Sequence, residues 1–136
     1  MENMNPNWIG GREDDVYREN ILDHFKNPHN FGKLEFCDIK CKEFNPTCGD
    51  EVEIFAKIHD SKITDAKFFG KGCAISQAAA SMLTDKIKDM SLEEVKKLTK
   101  EDIMNMLGIK LGIVRQKCGL LCLNALLKGL LEKNVK

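Results

Sequence analysis

An α+β fold, with a three-stranded antiparallel sheet packed against helices, is predicted by three observations. Val52, Ile54, Ala56 and Ile58 alternate strictly with Glu51, Glu53, Phe55, Lys57 and His59, the two-residue period of a half-buried strand. Asp60-Ser61 leads straight into another strand-like run, Lys62 to Phe69, and so short a connection favours antiparallel hairpin pairing. Helix-forming segments stand before and after these strands.

Met1 to Arg12 is polar, carries Asn, Pro and a Gly-Gly pair and shows no periodicity. Residues 1–13 are therefore expected to form a flexible arm, with one domain over residues 14–136. From Asp15 to Lys26, Val16, Tyr17, Ile21, Leu22 and Phe25 recur at helical spacing, and Pro28 ends the helix. Leu34 to Phe44 reads as the first strand, with modest alternation. The hairpin strands follow, and Cys48 and Asp50 are expected in the loop that enters the middle strand. Gly70-Lys71-Gly72 breaks the sheet, and Cys73 opens a helix over Ala74 to Lys88 whose small residues allow close packing. Ser91-Leu92-Glu93-Glu94 matches a capping box for a short helix to Leu98, and Thr99 precedes another over Ile103 to Leu107. Val114 to Lys133 is a long amphipathic helix with Leu120, Leu123, Leu127, Leu130 and Leu131 on or near one face, and with Cys118 in its first turns.

At 136 residues and 43% apolar composition the chain can bury a core without disulfides or a metal. The 21 basic residues balance the 21 acidic ones, which argues against an extended nucleic-acid surface or an anionic-membrane patch. No secretion signal or uninterrupted apolar span is visible, so a soluble cytoplasmic protein is expected. In that setting six cysteines point to metal binding, sulfur chemistry or core filling rather than to three disulfides.

Three cysteines lie in segments suited to presenting a thiolate. Cys48 is followed by Gly49, which lets the backbone turn tightly and bring Asp50 to the same side. Cys73 follows Gly72 at a helix N-terminus, and Cys118 has Arg115 and Lys117 nearby, both settings that favour thiolate. Three soft sulfur ligands and one hard oxygen would hold iron or zinc with one exchangeable position. Taken singly, each cysteine is equally consistent with buried packing. Cys37 and Cys41, four apart, would face one way on a strand and are read as packing, as is Cys122 among its leucines. Lys117 is read as a solvated helix residue.

Four segments carry a resemblance to a known family. Val16-Tyr17-Arg18-Glu19-Asn20-Ile21-Leu22-Asp23-His24-Phe25-Lys26-Asn27-Pro28-His29-Asn30-Phe31-Gly32 resembles the opening signature of the IscU/NifU-type iron–sulfur scaffold proteins. Asn45-Pro46-Thr47-Cys48-Gly49-Asp50, Gly70-Lys71-Gly72-Cys73-Ala74-Ile75-Ser76 and Arg115-Gln116-Lys117-Cys118 resemble its three cysteine-bearing segments, in order. The resemblance implies the IscU/SufE-like sandwich fold and a scaffold role. Sulfur would arrive from a cysteine desulfurase, and a labile two-iron two-sulfur cluster would form on Cys48, Asp50, Cys73 and Cys118 and pass to apo-proteins or carriers. Such a protein is a carrier rather than a turnover enzyme. His24 and His29 belong to the signature and are expected to be structural.

The aligned stretch Leu111-Gly112-Ile113-Val114-Arg115-Gln116-Lys117 lacks the histidine and proline pair common in IscU members. Asn-Pro-Thr-Cys-Gly-Asp and Arg-x-Lys-Cys are closer to the SufU branch, whose members hold zinc and accept sulfur by ligand exchange. The insertion typical of that branch is missing. A zinc-dependent sulfur acceptor is thus the alternative to the scaffold, and a zinc-stabilised interaction module a third reading. Cys118 is the preferred persulfide acceptor, with Cys48 next. Association with a second copy of the chain is left open.

Overall fold

The computed structural model describes residues 12–134 and has the expected α+β architecture. Its elements are α1 (Arg12–Lys26), β1 (Ile39–Asn45), β2 (Asp50–His59), β3 (Lys62–Lys71), α2 (Ala74–Ile87), α3 (Leu92–Lys96), α4 (Lys100–Leu107) and α5 (Ile113–Asn134). The strands form one antiparallel sheet in the order β1-β2-β3. α1 opens at Arg12, ahead of the Asp15 start marked by the periodicity, so Arg12 and Glu13 belong to the helix rather than to the arm expected over residues 1–13, and residues 1–11 lie outside the described residues.

The alternation in β2 decides which face is covered. Val52, Ile54 and Ala56 point inward with Ile39 of β1 and Ala66 and Phe68 of β3, all at most 1% exposed, and pack against α2 and α5. α2 is buried along most of its length, from Ile75 to Thr84, because its run of alanine and serine lets the sheet, α1 and α5 approach it together. α5 faces the core with Cys118, Leu121, Cys122, Ala125, Leu126 and Leu130, a stripe at three- and four-residue spacing. Leu123 is buried as well, and Leu120 and Leu127 are partly buried, but Leu131 is 64% exposed and does not belong to the core as expected. Where α5 crosses β1 the contact depends on Gly129, whose missing Cβ would lie 2.6 Å from Ile39 Cγ2.

The first strand begins later than its sequence suggests. Asn30 to Gly32 pair with the free edge of β3, with Gly32 N–H donating to the Phe68 carbonyl at 2.8 Å and Phe68 N–H to the Asn30 carbonyl at 3.0 Å. The chain must then reach β1 at the opposite edge, and the helices fill the inner face. Residues 33–38 therefore cross the outer face as a strap, with Lys33 Nζ over the Phe69 ring at 4.7 Å and Asp38 Oδ2 accepting from Ile58 N–H at 2.7 Å. Phe55, outward by alternation, is 1% exposed on this covered face. Cys37 lies half-buried in the strap, so only Cys41 sits on the strand, where it is buried.

His24 and His29 fasten the first helix and its exit loop to α2. The Ser81 hydroxyl lies 2.7 Å from His24 Nδ1 and accepts from His29 N–H at 2.8 Å. Both expected capping boxes form, at Ser91 with Glu94 and at Thr99 with Asp102. Thr99→Ala removes an acceptor from the Asp102 N–H and should lower stability by about 1 kcal/mol, read as a shifted urea midpoint at unchanged slope.

Candidate metal centre

Three chain segments converge at one end of the sheet, and each brings its donor there for a local reason. In the β1–β2 connection the Asn45 side chain is buried, its Oδ1 accepts Thr47 N–H at 3.1 Å, and its carbonyl accepts Gly49 N–H at 2.8 Å. That folds Pro46 to Gly49 into a tight loop with exposed Cys48 near its tip. Gly49 has φ +76°, a left-handed conformation in which a side chain would be strained. The carboxylate of Asp50 follows as the first residue of β2, on the inner face and 2% exposed.

From β3 the chain passes through Gly72 to Cys73, the N-cap of α2. The Cys73 side chain makes no capping bond. Asp50 serves the helix end instead: its Oδ1 accepts Cys73 N–H at 3.1 Å, while Oδ2 accepts from the Cys73 thiol at 3.2 Å. One carboxylate oxygen is thereby anchored to backbone and the other is turned toward sulfur. Gly72 makes this approach possible, since a Cβ there would lie 2.6 Å from the Asp50 carboxyl carbon and its φ is +152°. Cys118 enters from the early turns of α5, 3% exposed, with its Sγ 3.3 Å from that of Cys48.

Cys48, Asp50 and Cys118 each offer a donor atom within 4.8 Å of the other two. Donors in a tetrahedron around an ion with metal–sulfur bonds of about 2.3 Å stand roughly 3.5–4 Å apart. This donor set can therefore hold a metal ion with only side-chain adjustment. Cys73 stands outside the mutually close group but touches it through Asp50. The four residues expected from sequence thus meet in one neighbourhood, Cys73 at its border.

The electrostatics of the centre suit a cation. Burial pushes the Asp50 carboxyl up, but thiol hydrogen bonds from Cys73, Cys118 and Cys48 and the Cys73 N–H outweigh it and hold the group below its ordinary range. Burial, the hydrogen bond with Cys48 and the proximity of Cys73 and Asp50 raise the Cys118 thiol well above its ordinary value. The expectation that Arg115 and Lys117 hold Cys118 as thiolate is therefore not met. Both cations are exposed on α5, as Lys117 was expected to be, while Cys118 turns inward beside Asp50 and the thiols of Cys48 and Cys73.

Outside this centre the remaining thiols behave as packing groups. Cys122 is fully buried, its Sγ near the Gly119 carbonyl, and burial pushes it up to about 12. Three residues of the centre had no role expected from sequence, although Asn45 and Ser76 stand within the cysteine-bearing segments. Asn45 shapes the Cys48 loop, and its Asn-Pro dipeptide is a recognisable turn signal. Ser76 and Gln77 lie beneath Cys73, buried, and nothing in their spacing sets them apart from ordinary helix residues.

Similarity to known proteins agrees with this geometry. The model of the NifU-like N-terminal domain matches residues 16–135. The chain is 37% identical to the iron–sulfur cluster assembly scaffold protein IscU 1 of Archaeoglobus fulgidus, over 86% of this chain and 76% of that protein. It is 36% identical to the zinc-dependent sulfurtransferase SufU of Bacillus subtilis, over 88% of this chain and 92% of that one. Among solved structures, SufU of Fervidobacterium islandicum superposes with a TM-score of 0.72 at 30% identity, covering 85% of this chain and 97% of that one. A NifU-like protein of Brucella abortus shares the fold, with a TM-score of 0.73 at 21% identity over 90% of this chain and 97% of that one. With a domain match over nearly its whole length and relatives of this identity, the chain belongs to the IscU/NifU-type family, which includes SufU-like members.

Proposed function

We propose that this protein is a scaffold on which a labile two-iron two-sulfur cluster is assembled as cargo, held by Cys48, Asp50, Cys73 and Cys118. The observation that carries the reading is the pairing of Cys48 and Cys118 sulfurs at 3.3 Å beside a carboxylate with one oxygen tied to backbone and the other turned to thiol. Soft thiolates suit iron and sulfide, and the hard oxygen is the ligand most easily displaced by an incoming group. Exposed Cys48 and Cys73 give cargo a way in and out. Sulfur would come from a cysteine desulfurase and the product would pass to apo-proteins or carriers, in the cytoplasm. That no helix among the described residues is long and apolar enough to cross a membrane is compatible with this. Anaerobic reconstitution with ferrous iron and sulfide should give a chromophore that Cys48→Ala, Cys73→Ala and Cys118→Ala each abolish. A colourless product would count against the scaffold.

Asp50→Ala should lengthen the lifetime of the bound cluster. Removal of the exchangeable oxygen is expected to slow transfer to an apo-ferredoxin about tenfold, equivalent to ~1.4 kcal/mol in the barrier. An unchanged or faster transfer rate would remove Asp50 from this role.

A second reading, a zinc-dependent sulfur acceptor, draws on the burial of Cys118. A buried thiol beside a carboxylate and two further thiols gains from a cation in becoming thiolate, and zinc, when bound, holds cysteine ligands in that form. Cys118 would then take the persulfide, with exposed Cys48 as the competing site. Elemental analysis of anaerobically purified protein separates the two readings. Tightly held zinc together with added sulfur mapped to Cys118 after incubation with a desulfurase and cysteine would favour the acceptor. Zinc with no added sulfur would leave a zinc-stabilised interaction module.

A further inference from the structure

Ser76 is buried completely, one helical turn beyond Cys73 on α2. Its hydroxyl donates to the Cys73 carbonyl at 3.1 Å, accepts from Gln77 Nε2 at 3.4 Å, and lies 4.0 Å from Cys73 Sγ. The carbonyl has another donor in Gln77 N–H at 3.2 Å, so the Ser76 proton is not essential there. The point where a Gly72 Cβ would stand is 2.8 Å from Ser76 Oγ and 2.6 Å from Asp50 Oδ1, so serine and carboxylate flank one small polar notch beside Cys73.

The Cys73 thiol spends its proton on Asp50 Oδ2. With Cys73 and Asp50 as ligands, the Cys73 sulfur would be held as thiolate, would no longer donate to Asp50 Oδ2 and would become a charged acceptor. A hydroxyl within a bond rotation of a charged sulfur then gains more by donating to it than to a carbonyl already served, because hydrogen bonds to charged groups are worth about twice neutral ones. The Gln77 amide holds the serine oxygen in place while the proton turns.

We propose that Ser76 is a positioning residue for Cys73, its hydroxyl turning from the Cys73 carbonyl to the Cys73 sulfur when that sulfur binds metal, with Gln77 holding the hydroxyl oxygen. This rests on the proposed ligand role of Cys73. It also accounts for a sulfur at the border of the donor group: Asp50 holds Cys73 until metal arrives, and Ser76 holds it afterwards. Outer hydrogen bonds of this kind typically change metal affinity 10–100-fold.

The test uses the full chain with Co²⁺ and Zn²⁺ as probes. Ser76→Ala should weaken Co²⁺ binding about tenfold and shift the sulfur-to-cobalt charge-transfer band, while Ser76→Thr, which keeps the hydroxyl, should recover both. Gln77→Met should give a smaller loss in the same direction. A folded Ser76→Ala protein with unchanged affinity and band position would overturn the proposal, as would Ser76→Thr binding as weakly as Ser76→Ala, which would mark a packing effect. Should Ser76→Ala fail to fold, unchanged Co²⁺ and Zn²⁺ affinity in Gln77→Met overturns it instead. Cys73→Ala separates the two levels: if it binds Co²⁺ as tightly as the parent, the ligand reading of Cys73 falls and the role of Ser76 with it.

Discussion

Cys48→Ala should weaken Zn²⁺ binding by at least about 100-fold and leave the metal-free protein as stable as the parent, to within roughly 0.5 kcal/mol. The two effects separate because Cys48 is exposed near a loop tip, where it supports no packing, yet its sulfur is 3.3 Å from that of Cys118. Losing a ligand should exceed the cost of losing an outer hydrogen bond. Cys122→Ala should do the reverse. That thiol is enclosed in the α5 core, so its removal leaves a small cavity costing about 1 kcal/mol and does not change metal affinity. Competition with a chromophoric chelator and a urea melt on the same samples would read both quantities. Equal affinity losses in the two variants would mean that the metal is held elsewhere. The pH dependence has a definite sign as well. The Cys118 thiol is raised, so metal must displace its proton, and affinity should rise with pH by up to about tenfold per unit for that proton.

How far the fold could be read ahead of its structure depended on where local pattern and tertiary need coincide. In β2 they do: one face is buried, a one-residue slip would turn every apolar side chain outward, and Asp60-Ser61 supplies the left-handed turn, with φ +52° and +61°. In residues 33–38 they diverge. Leu34, Phe36 and Cys37 look strand-like, but the edge of β3 is already taken by Asn30 to Gly32, and the chain has to cross the sheet to reach β1. No local propensity reports such a crossing. Nor does alternation report that Phe55 is buried on the outer face, since the cover comes from residues distant in sequence.

The candidate centre divides along the same line. Gly49 and Gly72, needed for local backbone reasons, mark the segments of Cys48, Asp50 and Cys73, but it was the resemblance of the cysteine-bearing segments to a known family that brought the four members together, Cys118 among them. The state of Cys118 was not legible. Arg115 and Lys117 are neighbours in sequence, but both are exposed to solvent while the Cys118 sulfur is buried against Asp50 and Cys48. Adjacency along a helix is a poor guide to electrostatic contact, and the charges that matter to Cys118 come from other elements.

Gly70→Ala should be the most damaging single-methyl change among the described glycines that lead into the centre. Its added Cβ would stand 2.2 Å from the Glu51 carbonyl oxygen and 3.0 Å from Val52 Cα, both backbone atoms of the central strand. No side chain can rotate aside, so the β2–β3 pairing of Val52 with Gly70 must open. Overpacking typically costs 1–3 kcal/mol, and a clash with rigid backbone belongs at or above the upper end, about 3 kcal/mol. For a domain of this size that is a fall in Tm of roughly 10 °C. Because Asp50 lies next to Glu51 and Cys73 follows Gly70 closely, the same opening would separate Asp50 from the Cys73 N–H and weaken metal binding. Gly72→Ala meets side-chain atoms of Asp50 and Ser76 instead, which can yield, but at φ +152° an alanine is itself strained by about 1–3 kcal/mol. Its loss of stability should therefore come from the backbone, and its displacement of the Asp50 carboxylate should lower metal affinity. Thermal melts and Zn²⁺ titrations of the two variants together test this: a Gly72→Ala protein that binds Zn²⁺ as tightly as the parent would show that the Asp50 carboxylate yields without losing its place among the ligands.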